Sequence, residues 1–557
     1  MPHRFSLACL LLLFAVVPLR AQDVDAIAPI TNFVAIQNAR IVVAPGNVIE
    51  GGTVVVRDGL IEAVGANARV PYDAYIIDGD SLTVYAAFIS GLSNAGVPEL
   101  ERGAYREQSD SRSEPEPDRA GIQPQRDVRT MLDPSESSIK ALRDAGFGAA
   151  HVVPRGRFLP GQGALVVLGG DTPSDMVVRG KTVQFAQFDG ALGVYPSTPM
   201  GVMAVMRQYA REAARRKTIS DTYERGPNGN ARAPFDPAHE AFFPVLDGSQ
   251  PMLFHVDDAN EIFRAIRLSE DLGLNLMLAG LQGGELAVNA LKTADVPLFV
   301  SMELPKEMKE DSTAADYVPG TRTPDYAGVD AERDNLLARK RAAIARADAL
   351  PATLRDAGVT FGFSTEEVKA SDLAKNLRRM VAAGLSEDAA LAALTTDAAR
   401  LLGASDVLGS VERGKIANLI VSEGSPFAEK PDVRMMIVDG RVYEMEAKKK
   451  GAEPDSSLNP VGSWSIVVPT PEGDQTSTLS LTGSPASLEG TVSSPQFTAP
   501  ADVDEARLEG DQLTVIFTAP QFGRLTFSGT LTADTYEGTV SVPQLGSFPF
   551  TGTRVPN

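Results

Sequence analysis

Residues 251–301 read PMLFHVDDANEIFRAIRLSEDLGLNLMLAGLQGGELAVNALKTADVPLFVS, and the periods within them decide the fold class. Pro251-Met-Leu-Phe-His-Val256 is a short, mostly apolar run, as expected of a strand covered on both faces. Asp258-Ala-Asn-Glu261 has the form of a capping box, and Ile262, Phe263, Ile266 and Leu272 supply the apolar positions of the helix it opens. Leu274 to Ala279 then reads as a strand, Glu285 to Lys292 as a helix and Val296 to Ser301 as a strand. Strands separated by helices imply βαβ units and a parallel sheet.

The same alternation continues outward. A long Ala/Arg/Leu helix from about Glu332 leads to a strand at Val359 to Phe363. Helices at Asp372–Ala383 and Glu387–Leu402 follow, with Gly384 and Gly403 as stops and Ser386 as N-cap. Residues 86–403 are enough for eight such units, an α/β (β/α)8 TIM-like barrel. Within them, 101–129 is charged and poor in apolar residues, so a disordered loop insertion is expected there.

Both flanks are β-rich. Residues 32–85 carry short apolar runs separated by Pro45-Gly46, Gly51-Gly52 and the hairpin signal Asp58-Gly59. Residues 404–447 carry Ala417-Asn-Leu-Ile-Val421 and Met435-Met-Ile-Val438, which look like the remainder of the same small sheet. A polar linker at 448–460 precedes 461–557, which is rich in Thr, Ser, Gly and Val and has no helical period. Its echo, Glu489-Gly-Thr-Val-Ser-Ser-Pro-Gln-Phe497 against Glu537-Gly-Thr-Val-Ser-Val-Pro-Gln-Leu545, points to a C-terminal β-sandwich or barrel of about eight strands with Trp464 in its core.

Composition narrows the function classes. The 557 residues include 52 Lys and Arg against 72 Asp and Glu, a net charge of -20, which disfavours nucleic acid as a partner. Residues 1–21 have a basic start (Arg4), an apolar run from Phe5 to Leu19 and a small residue at Ala21, the pattern of a cleavable signal peptide. An exported product, periplasmic or extracellular, is therefore expected, with no membrane span. Its loss would leave three of the four His and no Cys, so neither a disulfide nor a thiol nucleophile is available.

Several passages carry a family resemblance. Asn38-Ala-Arg-Ile41, Gly52-Thr-Val-Val-Val-Arg-Asp-Gly59, Ile61-Glu-Ala-Val-Gly65 and Ile77-Asp-Gly79 through Phe88-Ile89 lie near the start. Met380-Val-Ala-Ala-Gly-Leu-Ser386, Ala399-Arg-Leu-Leu-Gly403, Leu408-Gly-Ser-Val-Glu-Arg-Gly-Lys-Ile-Ala-Asn-Leu419 and Val438-Asp-Gly-Arg-Val442 lie near the end. Together they resemble the amidohydrolase superfamily, in particular its imidazolonepropionase-like and dihydroorotase-like members. The resemblance implies a (β/α)8 barrel with a composite β domain built from both chain ends. It also implies hydrolysis of C–N or cyclic amide bonds by one or two divalent metals, such as zinc, in the barrel mouth.

The expected ligands are largely replaced. The family's first-strand His-X-His aligns with Leu92 and Asn94, and only Asn94 has a lone pair to offer, a weak one. His255 fits the third imidazole position, Ala279 stands near the fourth, and Thr365 stands where the catalytic Asp belongs, with Glu366 one residue on. The expectation is a vestigial, metal-free centre in a non-catalytic or strongly diverged member. Such a protein would bind a small-molecule ligand or pair with an active amidohydrolase-like subunit. Two alternatives stay open. One is an active hydrolase with an unusual carboxylate-rich metal site drawn from His255, Asp257, Glu303 and Glu366, in which Glu366 and Asp257 are the catalytic candidates. The other is an envelope ligand-binding protein acting through the C-terminal β domain. His151 and His239 are read as a hydrogen-bonded rim group and a solvated loop residue.

Overall fold

The structure is a computed structural model that describes residues 33–99, 111–232, 234–308, 327–428, 432–445 and 458–555, apart from 471–472, 485–486, 496–499, 520–522 and 543–545. The segment 1–21 read as a signal peptide, residues 101–110 and most of the expected 448–460 linker lie outside them. The chain divides into two units, Met1–Met445 and Glu446–Asn557.

The first unit is a barrel with a small sheet beside it. Seven barrel strands run parallel: Phe88–Ser93, Phe147–Val152, Gln184–Gln187, Met252–His255, Leu276–Leu281, Leu298–Ser301 and Gly362–Ser364. The ring is completed by an antiparallel segment. Ala164–Val167 pairs with Phe147–Val152, and Gly161–Gln162 pairs with Gln184–Gln187. Gly163 between them donates to Val183 O (3.0 Å) and accepts from Thr182 N (2.9 Å), so the two ends of the sheet meet there. The TIM-like barrel expected from the sequence is therefore present, with one place in its ring filled antiparallel. Gly161-Gln-Gly163 is the sequence mark of that place, since only a chain that turns back at once could enter in this direction.

Local rules account for the surrounding helices. Helix Ala259–Leu272 is capped by the Asp258 carboxylate, which accepts from Glu261 N at 3.0 Å, while Glu261 reaches one residue beyond the expected partner and accepts from Asp257 N at 3.0 Å. Ile262 is buried on its inner face, whereas Phe263 turns outward. The expected Glu387–Leu402 helix is two helices, Glu387–Leu394 and Thr396–Leu401, broken where Thr395 leaves helical geometry (φ -130°, ψ -90°). Residues 111–129 correct the expectation of a disordered insertion. Ala120 and Val128 are buried, and the segment bridges to Leu159 and Gln162, so a few apolar residues suffice to pin an otherwise polar stretch.

The small sheet joins both flanks of the barrel. Its order runs Arg441–Glu444, Asp432–Val438, Leu419–Glu423, Leu82–Ala86, Phe33–Ala44, Asn47–Arg57 and Leu60–Gly65, with Tyr75–Asp78 also alongside Phe33–Ala44. Asp58 and Gly59 both take positive φ (49° and 81°), the backbone that a two-residue hairpin with right-handed strand twist demands.

The second unit is a closed barrel of eight antiparallel strands, from Gly462–Thr470 to Gly546–Arg554, each paired with the next and the last with the first. The two echo sequences begin in Ser487–Ser493 and Thr535–Val542, four strands apart. Trp464, Phe517, Phe527, Tyr536 and Phe550 fill its interior. The Trp464 indole donates to Pro460 O at 2.9 Å, as a buried donor must. These rings form the core of the unit and not the wall of a cleft. Among the described residues no helix is long and apolar enough to cross a membrane.

Candidate functional site

The barrel strands aim their C-terminal ends at one mouth, where Leu92, Asn94, His255, Ala279 and Thr365 gather. Thr365 N donates to Leu92 O (3.0 Å), Asn94 Nδ2 donates to Val153 O (3.0 Å), and Ala279 is the register partner of His255. The five positions lie at the same end of the barrel. What they carry is a barrel interior. Leu92 is fully buried in an apolar cluster with Val153, Val183, Phe185, Leu253, Met277, Ala279 and Phe299. A Cβ on Gly91 would overlap the Phe299 ring, and one on Gly362 would come within 2.8 Å of it. Two glycines on neighbouring strands therefore make room for this one aromatic side chain. Thr365 is buried too, and its hydroxyl is paired with Ser90 Oγ at 2.9 Å.

The polar part of the mouth lies at the ends of the strands Met252–His255 and Gly362–Ser364. His255 Nε2 is 3.5 Å from Glu366 Oε2 and 3.9 Å from Asp257 Oδ1. The imidazole lies against Gly280, where a Cβ would overlap the ring; that glycine takes φ +88°, a backbone few other residues adopt. The Glu366 side chain is only 10% exposed, and its Oε2 makes no hydrogen bond. Burial pushes its carboxyl up to about 7 against the opposing pull of His255. Glu303 accepts from Gln282 Nε2 (3.1 Å) and is raised by burial and by the charges of Glu367 and Asp257. Of the four weak metal-ligand candidates, the structure brings His255, Asp257 and Glu366 together, and Glu303 stands within electrostatic reach of Asp257. Burial of Glu366, its coupling to Arg155 and the Phe299 plug were missed by sequence reasoning. Gly91 inside a barrel strand was the available signal for the plug.

These residues do not fit the family's metal centre. A binuclear site needs the first-strand pair as imidazole donors, and here one position is hydrocarbon inside an apolar cluster while the other offers only the Asn94 amide oxygen, a weak ligand for zinc-like ions. At the fourth imidazole position stands Ala279, buried and without a donor atom in its side chain.

The other histidines are structural. His151 is fully buried rather than at the rim; Nδ1 lies 3.2 Å from Gly91 O and Nε2 2.7 Å from Thr182 Oγ1. A carbonyl only accepts, so Nδ1 carries the proton and Nε2 accepts from the threonine hydroxyl. Burial lowers its pKa to about 4, which keeps the ring neutral. Thr182→Val should leave Nε2 without a donor and lower stability by about 1–3 kcal/mol, read from chemical denaturation, whereas Thr182→Ser keeps the hydroxyl and should avoid most of that loss. His239 is not a solvated loop residue. It sits in the short helix Pro237–Glu240, bonded to Asp236 Oδ2 (2.7 Å) and stacked on Tyr209 (4.6 Å between centroids).

A cavity of about 880 Å³ opens at the opposite end of the barrel, where Pro251, Leu276 and Pro297 begin their strands and His151 and Thr182 form part of the wall. Its buried polar pair is already satisfied internally. Glu366 is not, and the carboxyl ends of barrel strands are where this architecture places its chemistry, so the mouth is the candidate site.

Comparisons agree with the fold. Residues 300–443 match the sequence model of the amidohydrolase family. No curated protein matches the chain. An amidohydrolase structure from Thermotoga maritima MSB8 matches with a TM-score of 0.58 and 21% identity, over 74% of this chain and 100% of that one. A prolidase crystallised with n-methylphosphonate-l-proline matches with a TM-score of 0.44 and 14% identity, over 74% and 100% of the two chains. An adenosine deaminase from Xanthomonas campestris with bound zinc gives 0.39 and 14%, over 74% and 94%. Residues 300–443 thus carry the sequence pattern of the amidohydrolase family, and over 74% of the chain the fold is similar to that of an amidohydrolase structure.

Proposed function

We propose that this protein is an exported, diverged amidohydrolase-family member that does not run the family's metal-dependent hydrolysis and binds a small molecule in the barrel mouth. The observation that carries this reading is Leu92, fully buried with Phe299 and Leu253 where the family places an imidazole. Water activation by a divalent metal needs a full donor set around the ion, and hydrocarbon at that position removes part of it. The mouth keeps a few convergent polar groups, His255, Asp257 and Glu366, beside the apolar barrel interior.

Elemental analysis of protein purified without added metal tests this. We expect substoichiometric zinc and manganese, unchanged in His255→Ala. One equivalent of either metal, lost on His255→Ala, would overturn the reading.

One observation favours a second reading, an active hydrolase with an unusual site: His255 Nε2 lies within 3.5–3.9 Å of carboxylate oxygens of both Glu366 and Asp257. Here Glu366, buried and pushed up to about 7, would serve as the proton-exchanging group. The same metal measurement separates the two.

A further inference from the structure

We infer that the ligand of the barrel mouth is an organic cation, a primary ammonium or guanidinium group seated against Glu366 and Asp257. The inference rests on the reading of the mouth as a metal-free binding pocket. Three observations carry it.

The first is an unsatisfied acceptor. Glu366 is nine-tenths buried, its backbone N–H bonds to Leu92 O (3.2 Å), and its Oε2 faces His255 at 3.5 Å without a hydrogen bond. Buried carboxylate oxygens are rarely left this way, because the desolvation is uncompensated until a donor arrives.

The second is the local charge balance. Four carboxylates, from Asp257, Glu303, Glu366 and Glu367, lie in electrostatic reach of one another. The basic groups facing Glu366 are His255 and Arg155. Arg155 already donates its Nε–H to Val97 O (3.2 Å), and the Gln282 amide caps Glu303 (3.1 Å). The excess is negative, so an anionic ligand would meet repulsion and a cation attraction.

The third is a gradient of depth. The Asp257 side chain is 60% exposed and that of Glu366 is 10% exposed, with His255 between them. An ammonium can meet Asp257 first and donate to Glu366 at the floor, using the two acceptors together in charge-assisted bonds.

The test is calorimetric titration of the full chain with agmatine, which carries an ammonium and a guanidinium, beside parallel titrations with sodium butyrate and manganese chloride. We expect saturable agmatine binding that weakens as salt rises and falls at least tenfold in Glu366→Gln and in Asp257→Asn, with no binding of butyrate. Asp257 is exposed, so its variant remains informative if Glu366→Gln folds poorly. Absence of saturable agmatine binding, or binding indifferent to both substitutions, overturns the inference and leaves the metal-free reading standing. Saturable manganese binding lost in His255→Ala overturns both.

Discussion

Phe299→Ala should lower the stability of the first unit by about 3–5 kcal/mol, the cost of removing a fully buried aromatic ring and leaving its cavity. The upper end of that range is expected because of what surrounds the ring. Relaxation into a cavity needs neighbouring side chains that can lean inward, and two of the nearest neighbours, Gly91 and Gly362, have none. Phe299→Leu keeps most of the volume and should cost less than half as much. Far-UV circular dichroism at 222 nm follows the helices, which belong to the first unit, through guanidinium denaturation. Fluorescence of the single Trp, Trp464, follows the C-terminal barrel by itself. A loss below about 1.5 kcal/mol would show that Phe299 is not the plug its contacts imply.

That ring also marks where the sequence was and was not legible. The alternation over 251–301 and the closing passage Leu408–Leu419 gave the barrel and its small sheet, because strands buried on both faces and two-residue hairpins leave local signatures. The antiparallel entry at Gly161–Val167 left only glycines, and its direction is a tertiary property that no local period encodes. For the site, the resemblance pointed to Leu92, Asn94, His255, Ala279 and Thr365, which lie at one end of the barrel. Alignment reports which side chain is absent and not what fills the space. The apolar cluster around Leu92, the His255 ring resting on Gly280 and the burial of Glu366 arise from contacts between strands distant in sequence. Residues 111–129 teach the same lesson in reverse: composition suggested disorder, while two buried side chains were enough to hold the segment.

Glu366→Gln should stabilise the protein at pH 8 and change little at pH 4.5. Burial raises the Glu366 carboxyl from 4.5 in a freely solvated chain to about 7 in the fold. Below the lower value both states hold the proton and the residue contributes no pH dependence. Between the two values the unfolded chain releases its proton while the folded chain keeps it, so stability falls as pH rises. Above about 7 the loss is complete, and a gap of this size corresponds to about 3 kcal/mol. Glutamine keeps the shape and cannot ionise, so the variant escapes the loss. His151 acts with the opposite sign in an overlapping window. Its depressed value, about 4, makes stability fall as pH drops below the ordinary histidine range. The wild-type profile is therefore a sum of opposing slopes, and only the difference between wild type and Glu366→Gln isolates the carboxyl. Denaturation midpoints of the two proteins at pH 4.5, 6 and 8 should diverge steadily with pH. A constant difference would mean that Glu366 is ionised throughout, held by His255 as an ion pair. In that case the mouth offers no open acceptor, and the case for a cationic ligand loses its first support.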